Sequence, residues 1–210
     1  MAISRDTSLT GYVGSATSKT LSLTLGGTVD LLVVFVMTTV AARTISSITW
    51  AGGADFSSTK IGPATTGTFK QYAAYQVAPT TGTNNLVFTI DSASEIYCAG
   101  VSYIGAKQTG LFDASTLNTA SIAQTITTST PNCWAVCSAL ADGGALAAST
   151  NSTQLSTIQN TAWGVFDSNG TISTGGYTLT QTGSGATGGV IVSVAPSVAA
   201  TSNSSFFMLM

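Results

Sequence analysis

Hydrophobic and polar residues alternate with a period of two along most of the chain. In KTLSLTLGG, Leu21, Leu23 and Leu25 fall on one face of an extended backbone, and Ser22 and Thr24 fall on the other. The segment NNLVFTID alternates in the same way. Because successive side chains of a β-strand point to opposite faces, this pattern predicts half-buried strands.

One segment is apolar without alternation. LLVVFVM, residues 31–37, is rich in β-branched residues and far shorter than the roughly 20 residues that a membrane-spanning helix needs, so it predicts a buried strand. GGALAASTNS, around Leu146, is the one plausible helical segment, although it is short and rich in Ser and Thr. Further strands are predicted at residues 44–50, 69–78, 95–104, 121–128, 132–141, 161–167, 176–182 and 188–195.

Turn signals separate nearly every pair of these segments. They include Gly-Gly at 26–27, PTTGTNN at 79–85 and DGG at 142–144. In DSNGT, Asn169 and Gly170 favour a two-residue hairpin turn. Short strands with turns about every 8 to 12 residues predict an all-β fold, an antiparallel β-sandwich of about a dozen strands.

The end of the chain differs from the rest. We predict one sandwich domain over residues 1–195 and an extended C-terminal tail over residues 196–210. An apolar end is a liability in water, so we expect it to be an assembly contact, covered by another copy or by a partner protein. Folding back beneath its own sandwich is the alternative. Five large apolar residues, the apolar end, finish the tail: Phe206, Phe207, Met208, Leu209 and Met210.

Charge is scarce in this chain. Charged residues make up 7% of the sequence, against roughly 25% in an ordinary soluble domain, and the formal net charge is −2. The six basic residues are scattered singly, which excludes the basic patch typical of nucleic-acid or anionic-membrane binding. The start of the chain lacks the apolar core of a signal peptide, so we expect synthesis in the cytoplasm.

The three cysteines do not form an obvious disulfide framework. If Cys133 and Cys137 lie in one extended strand, their α-carbons are about 13 Å apart, whereas bridged α-carbons lie within roughly 7 Å. We therefore expect Cys98, Cys133 and Cys137 to be small buried hydrophobic residues of a reduced protein.

The residues needed for most enzyme mechanisms are missing. The chain has no histidine, which removes the commonest general base, the Ser-His and Cys-His pairs and most zinc sites. Asp91 and Glu95 are too far apart along an extended chain to act as a glycosidase pair. Cys133 lacks a histidine to activate it. We predict no catalytic residue, no metal site and no cofactor.

Two weaker binding signals remain. DSNG at 167–170 is similar to the opening of an oxygen-ligand calcium loop but lacks the closing glutamate, and a hairpin turn explains the same residues. Trp50, Tyr72 and Tyr75 are candidates for stacking on sugar rings if they are exposed, although aromatic residues on strands usually belong to the core.

Three segments carry a resemblance to a known family: ISSITWAGGADFSS, YAAYQVAPTTGTNNLVFTID and GVSYIGAKQTGLFDAS. They resemble a concanavalin-like or jelly-roll β-sandwich family found in phage structural (virion) proteins and bacterial surface proteins, over about residues 20–115. Lys107 and Gly110 depart from the acidic and proline residues usual in that family. Glucanases of similar fold use two Glu and an Asp, whereas Glu95 is the single glutamate here.

The resemblance and the charge-poor composition together favour a non-enzymatic virion protein. We expect a capsid decoration or head-surface component, or a tail component, made in the host cytoplasm and located in the virion. Its expected partners are other copies of itself and a major capsid or tail protein. The alternatives are an extracellular carbohydrate-binding or adhesin module at the cell surface, and a pilus-like filament subunit.

Overall fold

The computed structural model describes residues 1–158 and 162–197. Strands dominate this part of the chain, and it contains a single short 3-10 turn at Ser57–Thr59 but no α-helix. The strands are β1 (Ser4–Leu25), β2 (Leu31–Thr38), β3 (Ile45–Trp50), β4 (Ile61–Thr66), β5 (Phe69–Val77), β6 (Gly82–Ile104), β7 (Phe112–Asn118), β8 (Gln124–Thr128), β9 (Trp134–Gly143), β10 (Ala147–Ala148), β11 (Thr153–Ile158), β12 (Trp163–Asp167), β13 (Gly175–Leu179), β14 (Gln181–Thr182) and β15 (Gly185–Val194).

These strands form two main antiparallel sheets. Sheet I has the order β1-β6-β2-β5-β4, with β3 also paired to β6. Sheet II has the order β11-β12-β9-β15-β7. Two small ladders, β8 with β13 and β10 with β14, complete the pairing among the described strands. The prediction of an all-β antiparallel sandwich is therefore confirmed.

Sheets I and II pack face to face through one apolar core. Alternate residues of the facing strands point into it, as the pleat of a strand requires. Each large apolar side chain that is fully buried contributes about 1.5–3 kcal/mol. The core includes Leu31, Val33, Phe35 and Met37 of β2, Ala99, Val101 and Tyr103 of β6, Trp134, Val136 and Leu140 of β9, and Val190, Val192 and Val194 of β15.

A further layer covers the outer face of each main sheet. β1 and β6 are 22 and 23 residues long, and the part of each that lies beyond the sandwich core joins β3 over sheet I. There Leu21 and Phe88 pack against Val34 on the outer face of β2. Ile126 of β8 packs against Cys137 of β9 on the outside of sheet II. All eight residues of β2 are buried for this reason, which confirms the buried strand predicted at 31–37.

The two halves of the chain have the same topology. In the first half, the ladders are β1–β6, β6–β2, β2–β5 and β5–β4. In the second half, they are β7–β15, β15–β9, β9–β12 and β12–β11. The covering layers also correspond. In the second half β8 pairs with β13, and in the first half the last residues of β1 pair in the same way with the first residues of β6. Each main sheet thus contains the same five-stranded order, formed once by each half of the chain.

Hydrogen bonds repeat at equivalent positions of the two halves. The amide of Thr7 donates to Ser102 Oγ at 3.2 Å, and the amide of Ala114 donates to Ser193 Oγ at 2.8 Å. The turn that precedes β2 or β9 is tied down by an aspartate in the same way in each half. The pairs are Gly26 N to Asp6 Oδ2 and Ser129 N to Asp113 Oδ2.

Contacts across the core show how the halves are related. Arg5 lies opposite Tyr103, and Phe112 lies opposite Val194, at equivalent positions of the two ladders. Arg5 reaches Asp167 of β12, and Phe112 packs edge-on against Tyr75 of β5, with ring centroids 4.9 Å apart. Arg5 and Phe112 occupy equivalent positions, and so do Asp167 and Tyr75. One contact runs from the first half to the second and the other runs back, so an approximate two-fold rotation relates the halves.

Several predictions of local structure are wrong. The segment around Leu146 forms β10 and turns, not a helix. Asn169 has the positive φ of 46° expected in a turn, but β12 and β13 do not pair with each other, so DSNG is not a hairpin turn. Instead, the chain after β12 runs on beside the start of β9, with Ile172 bridged to Cys133. The edge strands β4, β7 and β11 were not predicted at all.

Asp113 stabilises the turn before β9, and its contribution depends on pH. Burial acts to raise the pKa of Asp113, but hydrogen bonds from Thr130 and Ser129 outweigh it and lower the pKa to about 2. A carboxylate with a lowered folded-state pKa stabilises the fold above its unfolded pKa, about 3.9, and this contribution is lost as the pH falls towards 2.

We predict that Asp113→Asn lowers the free energy of unfolding by about 1–2 kcal/mol at pH 7, because charge-assisted hydrogen bonds at a partly exposed site are lost. The difference from the parent protein should shrink at pH 2, in urea unfolding followed by tryptophan fluorescence. Asp142→Asn, at an exposed carboxylate, is the control and should have little effect at pH 7. Equal losses for Asp113→Asn at both pH values would contradict this role.

Candidate functional site

The predicted assembly contact lies outside the described residues. The chain is described up to Ser197, whereas the apolar end comprises residues 206–210. What the structure does place is the point from which the tail departs. Ser197 N donates to Gly105 O at 2.7 Å, and the N-terminal amine of Met1 donates to Ser197 O at 2.8 Å.

The three aromatic residues considered for sugar stacking do not form an exposed platform. Trp50 is 1% exposed, and its Nε1 donates to Thr80 O at 2.8 Å. Tyr72 is 6% exposed and packs in the layer outside sheet I. Tyr75 is half-buried against Phe112. Trp50 and Tyr72 therefore do not meet the condition of exposure on which the stacking prediction depends, because they lie in the apolar layer outside sheet I.

The carboxylates considered for catalysis are engaged in structural contacts. Asp91 Oδ2 accepts from Thr44 Oγ1 at 2.8 Å, and this bond lowers the pKa of Asp91. Glu95 Oε1 accepts from the hydroxyl of Tyr12 at 2.9 Å. Burial and the nearby Glu95 raise the pKa of Tyr97. Asp91 and Glu95 thus serve the strand pairs that carry them.

All three cysteines are buried and unpaired, as predicted. Burial raises the pKa of Cys98 to about 12 and that of Cys133 to about 11, and it raises the pKa of Cys137 as well. The thiolate is the nucleophilic form of cysteine. At neutral pH these side chains are therefore inert thiols that fill space in the layers around sheets I and II.

Asp167, the first residue of the suggested calcium loop, is turned into the protein. It is 0% exposed, and its two oxygens accept from Arg5 Nη1 at 2.9 and 2.8 Å. The hydroxyl of Tyr103 lies 3.4 Å from Oδ2, and the amide of Asn169 donates to Oδ1 at 3.0 Å. The carboxylate is thus used to join the two halves, with the N-terminal strand as its partner.

Arg5 was missed by sequence reasoning. It is an isolated basic residue 162 positions from its partner, so nothing in its local pattern indicates an ion pair. Burial raises the pKa of Asp167 above its ordinary value, although the guanidinium of Arg5 acts to lower it. Burial is thus the largest influence on the pKa of Asp167, and it disfavours the charged form.

The terminal pole is the end of the sandwich where β2 and β9 begin and β6 and β15 end. Ala106 and Pro196, which follow these last two strands, form an antiparallel bridge there. Beside them lies an open cavity of about 400 Å³. The cavity is lined by Met1, Ala2, Asn132, Thr171, Pro196 and Ser197. The terminal pole thus combines the N-terminus, the start of the tail and this cavity.

The described part of the chain shows neither a cluster of metal ligands nor a helix that could span a membrane. No group of three or more His, Cys, Asp or Glu residues there has the arrangement of a metal site. None of its helical segments is long and apolar enough to cross a membrane. Comparison of the chain with protein-family models, curated proteins and solved structures finds no match. The terminal pole is accordingly the candidate functional site.

We predict that Arg5→Met destabilises the protein by about 3 kcal/mol at pH 7, because it leaves the buried Asp167 without its partner. Burial raises the pKa of Asp167, so its ionised form contributes least to the stability of the fold at high pH. The carboxyl becomes neutral as the pH falls through its folded-state pKa, which removes the unpaired charge. The loss should therefore be smaller at pH 4 than at pH 7, as measured by urea unfolding.

Arg43→Met is the control, since Arg43 contacts only the carbonyl of Ala93, at 3.2 Å, among the hydrogen bonds described for its side chain. It should cost less than about 1 kcal/mol at either pH. The double variant Arg5→Met with Asp167→Asn should recover part of the stability that Arg5→Met loses at pH 7. A loss for Arg5→Met that does not change with pH would show that the ion pair is not its cause.

Proposed function

We propose that this protein is a non-enzymatic structural protein of a virion, a capsid decoration or head-surface component or a tail component, that works by assembling with other subunits. The observation that carries the proposal is the terminal pole. There the described part of the sandwich finishes at Ser197, the apolar end lies further along the sequence, and an open cavity has Met1, Ala2 and Pro196 in its lining.

The charge-poor exterior supports assembly. Copies of a protein with 7% charged residues and a net charge of −2 repel one another weakly. Exposed positions on the outer layer over sheet I carry hydroxyls in place of charges, as in the pair Thr24 and Thr83, whose Oγ1 atoms lie 2.8 Å apart. Such surfaces approach neighbouring subunits at a small electrostatic cost.

The use made of the acidic residues supports a structural role. A glycosidase or hydrolase needs carboxylates that are free to exchange protons with a substrate. In this chain, nearly all of the carboxylates accept hydrogen bonds that tie strands or turns together, which leaves few for chemistry. The carboxylates engaged in this way are Asp6, Asp30, Asp55, Asp91, Glu95, Asp113 and Asp167.

The proposed partners are other copies of this chain and a major capsid or tail protein, with synthesis in the host cytoplasm and final location in the virion. The resemblance of residues 20–115 to a family of phage structural proteins supports this particular setting. Contact through a short apolar segment suits a symmetric particle, because many weak contacts act together by avidity. A filament joined by strand exchange is a competing outcome of the experiment below.

We predict that the intact chain associates at high concentration and that deleting residues 206–210 abolishes this association, because the apolar end supplies most of the contact. Sedimentation velocity from about 1 to 500 μM measures the change, a range that brackets micromolar affinity. A variant with serine at all five positions is the matched control for tail length, and it should behave like the deletion. Electron micrographs of the associated form should show closed particles or rings.

Two results would contradict the proposal. A chain that stays monomeric over the whole concentration range would exclude self-assembly through the tail. Association that persists unchanged after both the deletion and the serine replacement would exclude the apolar end as the contact. Fibres in the micrographs would instead favour the filament subunit over the capsid or tail component.

A further inference from the structure

The two halves differ at the terminal pole in one informative way. In the first half, Asp30 Oδ2 accepts from the amide of Gly105 at 2.6 Å, and Asp30 Oδ1 accepts from Gln108 Nε2 at 3.2 Å. Asp30 immediately precedes β2, and Gly105 follows β6. This polar bridge fastens the linker between the halves to the body of the sandwich.

The equivalent positions in the second half follow from the strand registers. Leu31 and Trp134 start equivalent strands, so Cys133 stands where the first half has Asp30. Tyr103 and Val194 are equivalent, so Pro196, two residues after Val194, corresponds to Gly105, two residues after Tyr103. Arg5 and Phe112 are equivalent, so Met1, four residues before Arg5, corresponds to Gln108, four residues before Phe112.

None of the three replacements can make the polar bridge. Proline has no amide hydrogen to donate, and methionine has no amide side chain. The thiol of Cys133 donates instead to Thr130 O at 3.2 Å. An open cavity lies at this place in the second half, and Met1 and Pro196 belong to its lining.

The position and size of the cavity suit one particular occupant. Ser197, from which the tail departs, is itself part of the lining. The eight residues 198–205 span at most roughly 26–29 Å when extended, more than enough to turn back to a cavity that begins at their first neighbour. An enclosed cavity of about 150 Å³ holds a benzene molecule, so about 400 Å³ is space enough for one or two aromatic side chains, and Met1, Ala2 and Pro196 supply apolar surface beside three polar residues of the lining.

We propose that this cavity is the docking site of the chain's own apolar end, and that Phe206 and Phe207 occupy it in the free subunit. A short tether gives the tail a local concentration on the order of millimolar, so at micromolar protein the chain's own tail outcompetes other copies, and association through the tail sets in only as the protein concentration approaches that value. Docking covers the apolar end until subunits meet. This inference goes beyond the proposed function and does not require the protein to belong to a virion.

Disulfide trapping in the full chain tests the proposal. Thr171→Cys places a thiol in the cavity lining, and Ser205→Cys places one beside Phe206. The matched control combines Ser205→Cys with Thr68→Cys, an exposed position in the turn before β5, at the opposite end of the sandwich. The native cysteines are buried, and the single variant Ser205→Cys measures any reaction with them.

At micromolar protein and mild oxidation, we expect the Thr171 pair to form an intrachain disulfide at least about tenfold faster than the Thr68 pair. Adding Ala2→Trp, which fills part of the cavity, should reduce that rate towards the control value. A rate equal to the control would overturn the proposal.

Disulfides that form only between chains, at rates that rise with protein concentration, would also overturn it, because the occupant would then be the apolar end of a second copy. Either negative result leaves the sedimentation experiment free to support or reject assembly through the tail. Failure of the docking site and failure of the proposed function are thus distinguishable.

Discussion

Alternate side chains of β2 and β6 pack against those of β9 and β15, and this contact buries the inner faces of both main sheets at once. Each sheet is the product of one half of the chain, so neither half can cover its own inner face. The outer faces are covered locally, by β3 with the ends of β1 and β6 in the first half and by β8 and β13 in the second. The four layers, the approximate two-fold relation and the meeting of Met1 and Ser197 at the terminal pole all follow from this shared core.

The strands with regular alternation or continuous apolarity were predictable, because burial of one or both faces leaves a direct mark on the sequence. The missed strands β4, β7 and β11 are edge strands, and most described residues of β7 are partly or fully exposed, so their sequences carry little apolar signal. The burial of Trp50 could not be predicted with certainty, because a period of two does not reveal whether another layer covers a given strand face. The repeat was hidden since equivalent positions hold residues as different as Arg5 and Phe112. The shared D-x-S at Asp6 and Asp113 was a signal that could have found it.

The scarcity of charged residues connects the fold with the proposed role. Most of the few ionised groups fasten turns, strands or the two halves, as Arg5 and Asp167 do, and the exterior is left largely to hydroxyl and amide side chains. The molecule therefore combines a weakly charged sandwich with one strongly apolar segment, residues 206–210. At the terminal pole, Asp30 closes a polar bridge in the first half, whereas Cys133 at the equivalent position of the second half bonds to Thr130 instead.

Hydrogen exchange followed by mass spectrometry tests the central claim, that one shared core holds the two halves together as a single unit. The amides of β2 and β9 lie in different halves but at equivalent positions of this core. The account predicts that peptides from both strands become exposed in the same slow, cooperative opening, and that Arg5→Met accelerates both equally. Exchange of β9 in a separate, faster opening while β2 stays protected would contradict it, because the halves would then be independent units.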